Sequence, residues 1–573
     1  MTKFLFLTFW LTSLSFVFDA QIPVQHENDL IRLYIGRFEI KYDLPKLTHT
    51  SFSVSLNELA EMAKYVSDSV KAFSGRDLEN AEYILKDIRE WNNELNGKRN
   101  TDEFENNNPK GFLGLFYRDP ATFYAAHTDN FFIQLDPVIN ISFGKDIKND
   151  RLIFQNSRGF SISGLVDKKI YFYTSLLETQ QSFLDHLDKK ISRDLAVPGQ
   201  GLYKPYNSSV LDNVNGYDFM NAQAIIGFNI SKSINAQIGH GKFNIGNGLR
   251  SLFLSDYSHN YFFLKFDTKV WKFNYHNIFA ELSALSHKQL GSDDIIPKKY
   301  MAAHYLTYSP VRNFEIGLFE TVIFKRDNHF ELQYLNPVIL YRTVEHFIGS
   351  PDNVLVGIDW KYNFLRRCSF YGQFLLDEFN FSILKKDRTW WANKYGLQLG
   401  FKYIDVLGID QLDFQVETNI VRPYTYSHND SLNSYSHFNQ ALAHPLGANF
   451  KELIFNFNYK PFKNFYANAK FIHAIQGEDK DSRSYGSNIL KSNALRPVDE
   501  EGKLIDYGYF IGYGNKITKS QYKLNLSYMI YHNCFVDFDI IYYSEQFEKS
   551  RKSEELYFGA GLRLNIDRTT PDY

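Results

Sequence analysis

Gln411-Leu412-Asp413-Phe414-Gln415-Val416-Glu417-Thr418-Asn419-Ile420 sets Leu412, Phe414, Val416, Thr418 and Ile420 against Asp413, Gln415, Glu417 and Asn419. Successive side chains of a strand point to opposite faces, so this stretch predicts a ribbon apolar on one side and polar on the other. Tyr395–Tyr403 repeats the pattern, with Tyr395, Leu397, Leu399, Phe401 and Tyr403 on one face and Gly396, Gln398, Gly400 and Lys402 on the other. Ala222–Ile230, Trp271–Leu282, Arg312–Phe324, Val354–Tyr362, Leu453–Tyr459, Tyr522–Ile530, Val536–Ser544 and Leu556–Asn565 read the same way. The strand region begins at about residue 117 and runs to the end.

The breaks between these runs carry the topology. Ser231-Lys232, Ser309–Val311, Val406–Asp410, Pro461-Phe462 and His532–Cys534 are short, whereas 177–221, 241–258, 325–352, 380–393, 422–450 and 475–519 are long. Short and long alternate from about residue 222 onward, the asymmetry of an outer-membrane barrel with short periplasmic turns and long external loops. A soluble sandwich gives no reason for such alternation. The expectation is an all-β fold: a transmembrane antiparallel β-barrel of about 18 strands, within 16–20 and even in number, with its long loops extracellular. Parity puts Asp413, Gln415, Glu417, Asn419, Gln398, Lys402, Lys523 and Asn525 in the lumen, lining a channel or bonded to one another as a polar filling.

Composition agrees with strands that meet lipid on one face only. The chain is 44% hydrophobic and 17% aromatic, with 52 Phe and 39 Tyr, and its mean hydropathy is −0.35. No stretch beyond the N-terminus approaches the roughly 18–20 apolar residues of a membrane helix, which excludes a helical membrane protein. A net charge of −2 without a basic block argues against nucleic acid as a partner.

Residues 1–20 read as a signal peptide, with Lys3, an apolar Phe4–Phe18 and Ala20 before the cut. Residues 21–110 read as an N-terminal strand followed by a helical periplasmic element, and 111–573 as the barrel. Ser55 and Glu58 form a capping-box signature ahead of Leu59, Met62, Ala63, Val66 and Val70 at helical spacing. A second helix fits 77–95, and 96–110 reads as a loop. The helices either cap the barrel or form a separate two-helix arm. Cys368 and Cys534 are expected as unpaired, buried thiols.

The chemistry-bearing residues lie in the long loops. Gly246-Asn-Gly248-Leu-Arg250-Ser-Leu-Phe-Leu-Ser255-Asp256, the pair Asp377-Glu378, and Glu178-Thr179-Gln180 resemble the Wzi-type capsule-assembly family. The likeness is nearer still to the RemB-type gliding-motility proteins of Bacteroidetes, and it extends to Arg32, Tyr34 and Arg37. The resemblance implies an outer-membrane barrel of about 18 strands with a periplasmic helical part, and a role in holding surface polysaccharide or in motility.

Read as chemistry, the loops suit a sugar-binding mouth, with aromatic faces for sugar rings and charged groups for hydroxyls. The candidate contacts are Arg250, Asp256, Asp377, Glu378, Trp390, Trp391, Arg422, Tyr424, Tyr426, His428 and Asp430. Packing of the loops against one another is the competing reading for each of them. Gly246 and Gly248 lack the Lys-Ser/Thr of a phosphate loop, and no cofactor is expected. Adjacent Asp377 and Glu378 diverge, unlike the facing pair of a glycosidase. His428 to Ser431 are too close in sequence to build a nucleophile relay, and no His pair has the helical spacing of a zinc site, so no enzyme is expected. The expected partners are outer-membrane lipid and surface polysaccharide. A porin, or a partner of a motility or secretion machine, is the alternative.

Overall fold

The computed structural model describes residues 28–568, apart from 43, 45–53, 71–74, 96–116, 118–120, 209–214, 292, 328, 339, 350–351, 379–385, 481, 549 and 551. The expected signal peptide and the loop 96–110 lie outside the described residues. Among the described residues, one antiparallel sheet of 20 strands dominates. Two of these, Tyr124–His127 and Lys204–Asn207, are four-residue additions, which leaves 18 long strands. Phe131–Asp146 pairs with Ser553–Leu564, from Ile139 opposite Leu564 to Asp146 opposite Tyr557, and so closes the cylinder. The expected class and strand number hold.

The closure follows from the alternation. In Leu412–Val421 the polar parity points inward: Gln398, Asn419 and Glu452 stand side by side on three neighbouring strands and are buried. The opposite parity leaves Leu318, Phe262, Ile226, Leu399, Phe457 and Tyr522 exposed on the outer wall. One end of the barrel has short turns and the other has long loops. Two turns lie away from the expected places. Pairing is irregular between Tyr308 and Val311, so the turn falls at Arg312-Asn313 and not at 309–311. Val270 pairs with Phe273, so Trp271 stands in a turn, with φ of 54°, instead of opening a strand.

Among the described residues, four helices fill the short-turn end: α1 (Asp29–Lys41), α2 (Leu56–Val70), α3 (Gly75–Asp87) and α4 (Arg89–Leu95). The expected N-terminal strand is therefore helix α1. Ile31, Tyr34, Ile35 and Phe38 share one buried stripe, but half-buried Leu33 and buried Ile40 make the opposite side apolar too, and this blurs the helical period. The Ser55–Glu58 box caps α2, with Glu58 Oε2 accepting from Ser55 N at 3.0 Å and Ser55 Oγ accepting from Glu58 N at 3.3 Å. The expected second helix parts at Ile88 into α3 and α4.

These helices are held inside the barrel and are not a free arm. Arg37 donates to Asp77 at 2.8 Å, Asp405 at 2.5 Å and Asp413 at 2.7 Å. Lys361 pairs with Glu39, and Lys269 pairs with Glu58. Lys460 donates to Asn80 at 2.9 Å, and Asn533 donates to Asp87 at 2.7 Å. Cys368 and Cys534 are unpaired; Cys534 is buried but Cys368 only half-buried.

Candidate functional site

From the long-loop end, the loop 242–260 turns into the lumen. Glu417 holds it there: its carboxylate accepts Leu249 N–H at 2.6 Å and Arg250 N–H at 3.0 Å, and the Tyr371 hydroxyl at 2.7 Å. Gly246 has φ of 136°, open to glycine alone. A Cβ on Gly248 would lie 2.6 Å from Glu417 Oε2, so the tight approach requires the second glycine. Leu252, Phe253 and Leu254 then drop into the buried core, where Phe253 stacks on Phe319 with ring centres 4.8 Å apart. The Gly-rich stretch is a wall anchor, with apolar burial supplying the main drive.

Arg250 is buried, with Nη2 3.4 Å from Glu452, whose other oxygen is 2.9 Å from His444 Nε2. Gln398 donates to Asn419 at 2.9 Å, and Asn419 donates to Glu452 at 3.0 Å. The lumenal polar residues thus bond to one another. Asp256 faces a cavity of about 590 Å³ between α1 and the inner loop, lined also by Arg32, Asp413, Lys402, Arg563 and Arg568. Desolvation by the surrounding wall works against the cavity-facing Arg32 cation, yet Asp29, Asp256 and Asp567 raise its pKa above the ordinary value.

Above the inner loop lies 422–449. Tyr424 and Tyr426 both take left-handed backbone, with φ of 65° and 71°, a conformation that costs about 1–3 kcal/mol per residue. Their hydroxyls act as struts: Tyr424 donates to Ser484 O at 2.6 Å and Tyr426 to Leu252 O at 2.8 Å. Tyr426 N–H donates to Asp377 at 2.7 Å. His428 is buried, and its Nδ1 accepts Asp430 N–H at 3.2 Å, while Asp430 is exposed and caps Leu432 N–H at 3.0 Å. The Glu378 side chain lies outside the described residues.

Arg422 brings a second group together. Its guanidinium donates to the carbonyls of Asn393 at 3.1 Å, Tyr509 at 2.9 Å and Trp390 at 3.1 Å, and burial lowers its pKa. Trp391 stands edge-on to Tyr424 at 5.8 Å and lies beneath Arg496 at 3.7 Å, a cation–π contact. Arg496 also pairs with Asp506 at 3.1 Å. Trp391 N–H donates to Asp506 O at 2.9 Å, and Tyr509 N–H donates to Thr389 O at 3.0 Å. The 386–393 loop is thereby tied to 505–513.

The result is a crown on which Trp390 and Trp391 are half-exposed and Tyr507 and Phe510 are exposed. The structure joins Trp390, Trp391, Arg422 and Tyr424, and separately Asp377 with Tyr426. It sets Arg250, Asp256 and Asp430 apart from both. Arg496, Asp506, Tyr507, Tyr509 and Phe510 were missed by sequence reasoning. The signal was the run Asp506-Tyr-Gly-Tyr-Phe-Ile-Gly-Tyr513, which combines aromatics with loop-forming glycines.

No family model and no curated protein sequence matches the chain. Among solved structures, the fold is similar to that of Wzi, an outer-membrane protein involved in group 1 capsule assembly in Escherichia coli and described as a carbohydrate-binding β-barrel. The TM-score is 0.53 at 12% identity, covering 96% of this chain and all (100%) of Wzi. Pseudomonas aeruginosa OprD is similar at a TM-score of 0.41 and 9% identity, over 75% of this chain and 94% of that one. OpdK of the same organism, solved with vanillate, gives 0.42 and 8%, over 75% and 98%. The fold of this chain is that of a closed 18-strand antiparallel barrel of the kind seen in Wzi.

Proposed function

We propose that the protein is an outer-membrane barrel that binds or organises surface polysaccharide by non-covalent contact, with its long loops outside the cell and α1–α4 on the periplasmic side. One observation carries this reading: the chain occupies its own lumen from both ends, with α1–α4 at one and the loop 242–260 at the other. A pore would need that space. What remains open to a large ligand is the crown, where Trp390, Trp391, Tyr507 and Phe510 supply flat apolar faces beside Asp506. The similarity to a carbohydrate-binding barrel supports the same reading.

The test has two parts. The purified barrel should show no sizeable conductance in a planar bilayer, and deletion of its gene should lower the polysaccharide retained by cells. Sizeable open-channel current would move the assignment to a porin, and unchanged retention would remove the polysaccharide role. A motility or secretion partner would meet the same crown; a lone barrel eluting from solubilised membrane, with normal surface spreading in the deletion strain, would discard that role.

A further inference from the structure

One long loop does not behave as an external loop. Segment 325–348 leaves the barrel after Phe314–Phe324 and folds back over the outer wall. Its Phe330, Tyr334, Tyr341, Val344 and Ile348 pack on Phe279, Tyr300, Val322 and Phe324. Phe279, Tyr300, Val322 and Phe324 belong to the outward parity, the face that carries exposed Leu318. Arg326 and Asp352 clamp the two ends together, with hydrogen bonds of 2.9 and 2.8 Å, and Tyr334 donates to Asp352 at 2.9 Å.

Beneath this strap the wall is polar where lipid would require it to be apolar. Glu320 pairs across the sheet with His304, and His304 with Asn277, so the three form one outward row. His304 is seventh of 14 residues in its strand, and Glu320 seventh of 11 in the next. The row therefore sits at mid-wall, where ionisable groups facing hydrocarbon destabilise a barrel most. The strap covers it: Glu320 accepts Arg342 N–H at 3.1 Å, Asn277 donates to Pro337 O at 3.4 Å, and His304 lies 4.0 Å from the Tyr341 ring. His304 is left 6% exposed and Glu320 8%. The strap's own outer side exposes Leu332, Val338, Leu340 and Phe347, with Val338 83% and Phe347 73% exposed, alongside Gln333, Asn336, Thr343, His346 and an Arg342 paired with Glu345 at 2.6 Å.

We infer that segment 325–348 is a membrane-immersed strap whose outer face, led by Val338 and Phe347, docks against lipid acyl chains and seals the Asn277–His304–Glu320 row from them. The occupant follows from position, because the face continues the exposed apolar band of the barrel wall at the depth of that row. The inference rests on the barrel spanning a membrane, and Phe457, exposed on the bare wall, serves as the control for that premise.

The experiment places a single fluorescent label at V338C, F347C, F457C or the loop position L495C, in a C368S/C534S background, with the full chain in bilayers of ordinary or brominated lipid. Brominated acyl chains should quench the labels at 338, 347 and 457 several-fold more than the one at 495. Quenching at 457 but not at 338 and 347, with those two open to a water-soluble quencher, overturns the strap inference alone. Shielding of 338 and 347 from both quenchers overturns it too, because a protein would then cover the face. Absence of quenching at 457 removes the membrane premise itself. Should the cysteine variants fail to fold, a lipid-partitioning photoactivated carbene on the unaltered protein should label 332–347, and labelling confined to the bare wall would overturn the inference.

Discussion

Arg37 of helix α1 lies 2.7 Å from Asp413, which is 376 residues later in the chain and on the inner wall of the barrel. The same guanidinium reaches Asp77 of α3 and Asp405 of a short turn, and its side chain is 1% exposed. One cation thus fastens two helices and two parts of the barrel. A buried ion pair adds little net stability, but removing one partner leaves charge buried without compensation.

Replacing Arg37 with Met should therefore loosen the helical filling by about 3–5 kcal/mol, the usual cost of breaking a buried pair. Hydrogen exchange of residues 29–41 reads this directly: protection there should fall sharply while the strands stay protected. Unchanged exchange would show that apolar packing of Phe38 and Ile35 suffices.

Glu417 makes a second fastening, for the loop 242–260. Glu417→Ala strands the N–H groups of Leu249 and Arg250, each costing about 1–3 kcal/mol when buried and unpaired. The expected result is faster hydrogen exchange across 242–260 while α1–α4, fastened separately through Arg37, keep their protection. Glu417→Gln keeps the acceptor oxygen and should be milder. Unchanged exchange across 242–260 in Glu417→Ala would mean that Phe253 and its neighbours hold the loop without the carboxylate.

His127 gives a pH dependence. Its ring lies 2.9 Å from Glu90 and 3.1 Å from Glu94 of α4. Glu90 foremost raises the imidazole pKa above the ordinary 6.5, against partial burial, with Glu94 assisting. A raised folded pKa means the stabilisation is fully present below pH 6.5 and is lost as pH rises through the folded value. Docking of residues 89–95 should therefore weaken on the alkaline side of neutrality, seen as exchange faster than intrinsic chemistry explains. His127→Gln should flatten the profile, and a profile equally steep in that variant would refute the assignment.

The crown separates binding from packing. Tyr507 and Phe510 are exposed, so truncation to Ala should change stability by no more than about 0.5 kcal/mol. Their joint replacement should weaken retention of polysaccharide about tenfold, equal to about 1.4 kcal/mol. Trp391→Ala should instead cost stability as well, because Arg496 lies 3.7 Å over its ring. Retention untouched by the Tyr507/Phe510 double variant would move the ligand surface elsewhere.

Much of the barrel was legible because its rule is local. A residue's parity in Leu412–Val421 follows from its neighbours, and the inward turn of Glu417 and Asn419 follows from their polarity. Loop asymmetry then separated a membrane barrel from a soluble sandwich. The candidate residues were harder, since Tyr424, Tyr426 and Trp390 have the same composition whether they meet a ligand or strut a loop. Only the hydroxyl bonds to Ser484 and Leu252 showed that Tyr424 and Tyr426 hold the crown together. Tyr507 and Phe510 were passed over because exposure has no signature in a single sequence.

The sequence by itself determined a closed sheet of about 18 strands with one polar and one apolar face, because a two-residue period is enforced by backbone geometry alone. Tertiary structure decided where the remaining segments go. Helix α1 entered the lumen, the loop 242–260 turned inward, and segment 325–348 folded over the outer wall. The first two choices depend on a partner far along the chain, Asp413 for Arg37 and Glu417 for Leu249, and the third on Glu320 of the preceding strand for Arg342. A long-range pairing leaves no mark on the spacing of the residues that make it.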